Sequence, residues 1–321
     1  MELELAFQRF FEEIELGDVP EGRITESWNR LHAYLVDKCG VSQMDVFLQG
    51  SYANGTAVKP VTRAGEYDLD VVLIAAEAGM EADDALEQLE QILGENGDYK
   101  KRLQPKKPCV RLQYAGDEEG HFHIDIVPAR NRDGGKLLEI PFRGNGWHET
   151  NPAGYTTWCL AQGPRFHRTV RMMKRWRDEN QEERRGIKSI VLQVLIAEHL
   201  GAGSDAQSLT QTFEAIHAAL EKTPDSAPEV RNPSLPSENL TDRWPDKHYE
   251  AFRREVRDAA VLAGRALDEQ DQAKSHALWI ELLGSDFPGP SVTPTPTPPP
   301  PPPPGHHARP QSAPRRERYG E

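Results

Sequence analysis

The chain has 321 residues and 36.1 kDa, and its 38 basic and 51 acidic side chains give a formal net charge of −13. Apolar residues make up 37% of it, enough to bury a core, and its length favours two domains over one. The charge and hydropathy patterns exclude three classes of protein. No apolar run approaches the roughly 20 residues that cross a bilayer, and the first residues are acidic where a secretory signal is basic. The three scattered cysteines form neither a disulfide framework nor a zinc knuckle. We therefore expect a soluble, cytoplasmic protein with no membrane partner.

The acidity also bears on the partners. A protein that binds long nucleic acid usually carries a basic stripe that displaces counterions from the phosphates. The average field of this chain repels polyanions, so we expect no long nucleic acid partner. Any nucleotide substrate should be small and should be held by a local basic pocket.

The periodicity of apolar residues predicts the elements in chain order. Helical spacing comes first, over residues 5–16 and 24–36. Apolar runs bounded by turn residues then predict strands over 45–48, 67–75, 109–114 and 122–127, with a helix over 82–93 among them. Beyond Pro164 the pattern is mainly helical, over 165–178, 187–199, 208–220 and 249–269. The simplest architecture is an α+β half followed by a helical half, with a cleft between them.

The composition changes near residue 286. From there to residue 321 the chain holds 13 of its 26 prolines, including the unbroken run 298–304. Such a segment has few apolar side chains to bury and cannot form regular hydrogen-bond ladders, so it is predicted to be disordered. We expect an α+β core over 1–163, a helical domain over 164–285 and a tail over 286–321. A spacer and a docking or modification segment are both open interpretations of the tail.

Three aspartates fall on two of the predicted strands. Residues two apart in a strand share a face, so Asp68 and Asp70 point the same way while Leu69 and Val71 point into a core. Asp125 lies in the same alternation on the later strand. If the two strands are neighbours, the three carboxylates converge on one spot.

That convergence is costly without a cation. Two like charges about 4 Å apart repel by about 4 kcal/mol at an effective dielectric constant of about 20. Three carboxylates therefore raise their pKa values or bind a metal. Hard oxygen ligands favour Mg²⁺, with Mn²⁺ as an alternative, and two such ions could polarise an attacking hydroxyl and neutralise a leaving pyrophosphate.

A glycine-serine pair, Gly50-Ser51, directly follows the first predicted strand. Such a turn lets backbone N–H groups and the serine hydroxyl approach phosphate oxygens. No Gly-Lys-Ser/Thr follows, so the arrangement differs from a P-loop.

In this order, Gly50-Ser51, then Asp68-x-Asp70, then a distant acid on a strand, these residues resemble the signature of the polymerase-β-like nucleotidyltransferases. The long interval between serine and the first aspartate, together with Asn151-Pro152 and Lys188-Ser189-Ile190, is similar to the bacterial cGAS/DncV-like enzymes, the CD-NTases. The resemblance covers nearly the whole body. It implies a nucleotidyltransferase core packed on a helical domain, with nucleoside triphosphates, ATP among them, bound between the two.

The resemblance also implies residue roles. Asp68, Asp70 and Asp125 would ligate two Mg²⁺ ions. Gln49, Gly50 and Ser51 would contact the donor triphosphate, and Lys174 and Ser189 would hold it from the helical side. The implied activity is synthesis of a cyclic di- or trinucleotide second messenger with release of pyrophosphate, in anti-phage signalling.

Several alternatives stay open. Ser189 could instead be a helix N-cap. The other basic residues of 165–177 could belong to a solvated helix that pairs with Glu179, Glu182 and Glu183, and the basic loop around Lys101 and Arg102 could flank a strand or bind a polyanion.

The function also has alternatives. The product could be a linear oligoadenylate or a tailed RNA, or the chain could act through its tail as an interaction module that binds or is conjugated to a protein partner. The bases joined, the linkage and the ring size are not readable from the sequence.

Overall fold

The structure, a computed structural model, describes residues 1–62, 65–117, 120–135, 137–179 and 187–290. Residues Met1–Gly289 form one compact unit. The proline run of the predicted tail lies outside the described residues, as do Glu182 and Glu183. None of the described helices combines the length and the apolar character that a membrane span needs.

The first part of the chain is built around a sheet. Two helices lead into it, α1 (Glu4–Ile14) and α2 (Asp18–Cys39). The sheet contains seven strands, β1 (Val46–Gln49), β2 (Glu66–Ile74), β3 (Leu103–Pro105), β4 (Val110–Asp117), β5 (Gly120–Arg132), β6 (Leu137–Phe142) and β7 (Gly146–Thr150). Three helices lie between strands, α3 (Gly50–Ala53), α4 (Ala82–Gly94) and α5 (Gly97–Lys100).

The later part is mostly helical. Its helices are α6 (Pro152–Ala161), α7 (Pro164–Glu179), α8 (Ser189–His199), α9 (Asp205–Leu220), α10 (Asp246–Asp268) and α11 (Gln272–Leu283). A two-stranded ribbon, β8 (Arg231–Asn232) with β9 (Leu235–Asn239), interrupts them. The predicted α+β class is confirmed, and every element predicted from periodicity is present. The β6–β7 hairpin, α6 and α11 were not predicted.

Strand order positions the site. The sheet runs β1-β2-β5-β4-β3, with β2 parallel to β5 and the other pairs antiparallel. The two strands that carry the aspartates are therefore neighbours, which is the condition for their carboxylates to converge. The continuation of β5 pairs with β6, which extends the sheet into the β6–β7 hairpin.

Two hydrophobic clusters account for most of the burial. One lies under the sheet and includes Leu69 and Val71 of β2 with Leu86 and Leu89 of α4. The other joins the later helices and includes α1, because the Phe7 ring lies 5.0 Å from the Trp279 ring. The first helix thus packs against the helical part of the molecule. The predicted domain boundary after residue 163 stays a prediction.

Candidate active site

The parallel pairing of β2 and β5 brings the predicted carboxylates together. In its register Asp70 lies directly opposite Asp125, and Asp68 lies opposite His123. Neighbouring strands are about 4.8 Å apart, and paired residues share a face. The alternating partners Leu69 and Ile124 are buried on the other side. The three aspartates therefore occupy one face of two adjacent strands.

Burial and the neighbouring like charges both disfavour ionised carboxylates on this face. Burial raises the pKa of the Asp70 carboxyl from 3.8 to about 7, with further contributions from Asp68 and Asp125. Arg111 and Lys174 act in the opposite direction. A carboxyl that holds its proton near neutral pH marks a place where a cation would be bound favourably.

Arg111 is a site residue that the sequence analysis missed. It lies on β4 opposite Asp125, and its Nε and Nη2 donate to the two Asp125 carboxylate oxygens at 2.7 and 2.8 Å. This hydrogen bonding raises the pKa of Arg111. A signal was present in the sequence, because Arg111 is the polar position between the apolar Val110 and Leu112 of a predicted strand.

The donor set of the three aspartates fits a hard divalent cation, because all its atoms are carboxylate oxygens on one face. The described residues nevertheless contain no group of three acidic, histidine or cysteine side chains preassembled for a metal. In this structure Arg111 engages both oxygens of Asp125. A cation at all three aspartates would be met by the second lone pair of an Asp125 oxygen or would replace one of these hydrogen bonds.

Gly50 is held against the carboxylates by the turn after β1. Its φ angle is +72°, in the left-handed region that favours glycine. A side-chain carbon at this position would overlap a carboxylate oxygen of Asp70. The glycine therefore permits the close approach of the β1–α3 turn to β2, and Ser51 follows as the second residue of α3.

A cavity of about 1010 Å³ opens over this face. Most of the predicted site residues line it, namely Gln49, Gly50, Ser51, Asp68, Asp70, Lys174 and Ser189. Asp125 does not line it and lies beside Asp70 in the sheet, with 15% of its side chain exposed. The sequence analysis missed other polar groups on the wall, among them Asn54, Tyr155 and Gln193. Tyr155 donates to the Gln193 side-chain oxygen at 3.0 Å, which fixes both groups.

Lys174 faces this cavity from α7. Its side chain is buried, and its Nζ donates to the Thr56 backbone oxygen at 2.9 Å. Burial lowers the pKa of Lys174 from 10.5 to about 8, and the nearby Arg177 lowers it further, while Asp68 and Asp70 raise it. The ammonium is thus held at the cavity wall with two of its three protons available to an anion.

Ser189 is the first residue of α8. The helix N-cap is Lys188, so the N-cap interpretation of Ser189 is wrong. Its hydroxyl oxygen accepts a hydrogen bond at 2.9 Å from Arg177, whose Nε donates to Asp178 at 2.7 Å. Because Ser189 accepts from Arg177, its own proton is available to a group in the cavity.

Most of the other basic residues of α7 are paired, largely with residues of other elements. Arg168 pairs with Asp205, and Arg171 donates to the Gly55 backbone oxygen at 3.2 Å and pairs with Glu15. The expected partner Glu179 lies 3.9 Å from Arg175. Most of these residues thus join elements of the fold, which departs from the predicted solvated helix.

Comparison with known proteins identifies relatives of this chain. The sequence profile of the Second Messenger Oligonucleotide or Dinucleotide Synthetase (SMODS) domain matches residues 1–162. A c-di-GMP synthase of Roseivirga ehrenbergii is 29% identical over 291 residues, which cover 77% of this chain and 74% of the relative. A cyclic AMP-AMP-AMP synthase of Acinetobacter sp. is 28% identical over 259 residues, which cover 75% and 72%.

A solved structure extends the likeness to the fold. The CD-NTase CdnG of Bradyrhizobium diazoefficiens, determined in complex with GTP, superposes with a TM-score of 0.72 at 18% identity and covers 88% of this chain and 96% of its own. The SMODS profile spans half of the chain. The protein therefore belongs to the family of second messenger oligonucleotide or dinucleotide synthetases, the bacterial CD-NTases.

Proposed function

We propose that this chain is a nucleotidyltransferase that joins nucleoside triphosphates, ATP among them, and closes the product into a cyclic di- or trinucleotide second messenger. The observation that carries the proposal is the row of aspartates on β2 and β5, placed beside the Gly50 turn and opposite the buried Lys174. The named activities of the Roseivirga and Acinetobacter relatives support the cyclic product.

The donor triphosphate is held from two sides in this proposal. Gln49 and the Gly50-Ser51 turn contact it from the sheet, where the Ser51 hydroxyl and backbone N–H groups donate to phosphate oxygens. Lys174 and Ser189 contact it from the helical side, with the protons left free by Thr56 and Arg177. These contacts position the α-phosphate over the aspartates.

Asp68, Asp70 and Asp125 would hold two Mg²⁺ ions, and Mn²⁺ is a chemically similar alternative. Bound ions of this kind stabilise negative charge on the attacking and leaving oxygens. The raised pKa of Asp70 supports the assignment, because the buried carboxyl keeps its proton at a pH where an exposed one is ionised.

The reaction is an in-line displacement. A ribose hydroxyl of one nucleotide forms a bond to the α-phosphorus of the other, and the bond from that phosphorus to the bridging oxygen of the β-phosphate breaks. The hydroxyl proton passes to Asp125, and pyrophosphate leaves with the bridging oxygen. Arg111 holds the Asp125 carboxylate in place through hydrogen bonds to both of its oxygens, each of which keeps a second lone pair for the proton.

The test uses purified protein, Mg²⁺ and the four labelled nucleoside triphosphates. We expect a phosphatase-resistant product that is lost in Asp68→Ala, with a rate decrease of at least about 10²–10³, as for loss of one transition-state-stabilising group. Asp205→Asn, which removes a carboxylate of an ion pair on α9, is the control and should retain activity. Pyrophosphate release that is unchanged in Asp68→Ala would contradict the proposal.

The same assay separates the second candidate function. A linear oligoadenylate keeps its 5′-terminal phosphates, which phosphatase removes as free phosphate, and a tailed RNA forms only when RNA is added to the reaction. The acidic composition of the chain disfavours a long RNA substrate. Mass spectrometry of the product identifies the bases and the ring size.

We also propose that the body consists of the two domains predicted from the sequence. The proline-rich tail would bind a protein partner or be the site of conjugation to one. A truncation for this test should begin at residue 291, since Phe287 is 1% exposed and its ring lies 5.0 Å from that of Phe7. Unchanged synthesis in vitro with a lost response in cells would support a regulatory tail. Loss of synthesis would contradict it.

Cytoplasmic, anti-phage signalling is part of the same proposal and has its own test. Cells that carry the wild-type chain should resist phage, and cells that carry Asp68→Ala should not. Equal resistance of the two strains would argue against this role.

A further inference from the structure

The polar face that carries the aspartates continues past Asp125 to the edge of the sheet. Arg111 of β4 is opposite Asp125, and Gln104 of β3 is opposite Arg111. One step along the strands, Gln113 of β4 lies opposite His123 of β5. Hydrogen-bonding side chains therefore extend two strands beyond the aspartates.

This row ends in a second hollow of about 530 Å³, next to the nucleotide cavity. Its polar wall consists of Glu66, Lys101, Arg102, Gln104, Gln113 and His121. Glu66 lines both cavities and forms the ridge between them. Its carboxylate accepts from the Gln113 amide at 3.1 Å and lies 2.9 Å from the His123 ring nitrogen Nδ1, so the ridge is fixed in place.

The hollow is basic in an acidic protein. Within the described parts of the chain, no carboxylate lies at ion-pair distance from Lys101 or Arg102, whereas Arg168 and Arg171 of α7 are paired. The Arg102 guanidinium lies 4.4 Å from the centre of the Tyr114 ring, which holds it at the wall. Lys101 is exposed. These two cations are thus available to an anion.

We propose that this hollow binds the 5′-phosphates of the attacking nucleotide in the first bond-forming step, an assignment that rests on the proposed function. The attacking hydroxyl must reach the α-phosphate beside Asp70 and Asp125. The phosphates of the donor occupy the opposite side, near Ser51 and Lys174. Two triphosphates repel each other, so the phosphates of the attacking nucleotide should lie apart from those of the donor. The polar side chains from Arg111 to Lys101 provide contacts for them on that side of Asp125.

The assignment predicts that the hollow serves one step only. After the first bond forms, the 5′-triphosphate of the linear product belongs to the nucleotide that attacked. Ring closure needs that triphosphate on the donor side, at Lys174, with its α-phosphate as the new electrophile. The hollow is then empty of triphosphate, so changes to Lys101 should slow formation of the linear product and leave its closure unchanged.

The experiment uses substrates with separated roles. The donor is a 2′,3′-dideoxynucleoside triphosphate, which has no hydroxyl to attack with. The acceptor is either an α,β-methylene nucleoside triphosphate, which cannot donate, or the unphosphorylated nucleoside. Lys101→Gln and Arg102→Gln are compared with Lys100→Gln, which removes the same charge from an adjacent exposed residue outside the hollow. Thermal melting reports whether each variant is folded.

We expect Lys101→Gln to raise the KM of the triphosphate acceptor by about tenfold, the lower end for one charge-assisted contact. The KM of the nucleoside acceptor and that of the donor should not change, and Lys100→Gln should match the wild type. The linear product isolated from the wild-type reaction should be closed by Lys101→Gln at the wild-type rate.

Three results would overturn the assignment. Equal KM increases for both acceptors would mean that the variants disturb the fold. Equal slowing of ring closure would mean that the hollow is not specific to the first step. A change seen only in the response to added duplex DNA or RNA would mean that the surface binds a polyanion. Absence of any product from the wild-type chain would instead count against the proposed function.

Discussion

Replacing Asp70 by asparagine should stabilise the metal-free protein while abolishing the response to Mg²⁺. The folded structure raises the pKa of Asp70 from 3.8 to about 7, through burial and the neighbouring Asp68 and Asp125. The folded state therefore binds this proton more tightly than the unfolded chain does. The protonated Asp70 carboxyl stabilises the folded state at low pH, and this contribution to the free energy of unfolding is lost as the pH rises from about 4 to above 7.

The magnitude follows from the shift. The pKa of Asp70 rises from 3.8 to about 7, and each pKa unit corresponds to about 1.36 kcal/mol. Because the charge is shared among three acids, we expect the ionised Asp70 to lower the free energy of unfolding by roughly 2–4 kcal/mol. Asparagine keeps the shape and removes the charge, so Asp70→Asn should gain that free energy of unfolding at about pH 8. At about pH 5 most of the wild-type carboxyl is protonated in the folded state, so the gain should fall to less than half.

The assay is urea unfolding at both pH values, with EDTA or with Mg²⁺. Wild type should gain stability from Mg²⁺ at about pH 8 by mass action on the folded state, and Asp70→Asn should not. Asp205→Asn is the matched control, because its carboxylate pairs with Arg168 and its loss should destabilise by up to about 1 kcal/mol. A loss of stability in Asp70→Asn at about pH 8, or an equal gain at both pH values, would refute the reasoning.

Three further predictions follow from individual contacts. If Asp70 acts as proposed, Gly50→Ala should lower kcat by at least about 10²-fold, because the added side chain displaces the Asp70 carboxylate. Gly55→Ala, also at positive φ but in open space, should leave the rate near wild type. Deprotonation of Lys174 should lower kcat/KM above about pH 8. Because Arg177 lowers the pKa of Lys174, Arg177→Gln should move this decline to higher pH. A decline at the same pH in Arg177→Gln would mean that another group titrates. The Arg175 side chain is 1% exposed, so Arg175→Ala should lower the free energy of unfolding in urea by about 3 kcal/mol. Arg175→Met, which fills the same space, should stay within about 1 kcal/mol of wild type. Equal losses of stability in the two variants would contradict this account.

The sequence predicted the elements well because their apolar periodicity is strong. In β2, for example, Tyr67, Leu69 and Val71 are buried, with the two aspartates between them. Helix α6 was missed although Asn151 caps it and Pro152 opens it, since its apolar residues do not follow one face. Local pattern thus identified elements with a clear buried side.

The site was predictable where it depends on spacing within one strand, and less so where it depends on strand order. Asp68 and Asp70 share a face by alternation alone, but the position of Asp125 depended on β5 lying parallel to β2 in one register. The ion pair of Arg111 with Asp125 depends on a third strand. The alternation within 109–114 marks Arg111 as a polar position, but its pairing with Asp125 becomes evident only from the register of β4 against β5.

The pairing of β5 between β2 and β4 has a consequence for the order in which the molecule assembles. The carboxylates of Asp70 and Asp125 are far apart along the chain and meet only through this long-range contact. A nascent chain that ends before β5 (Gly120–Arg132) contains Asp68 and Asp70 but lacks Asp125. Because closing such a loop is slow compared with forming helices, catalytic competence should be among the last properties the folding chain acquires.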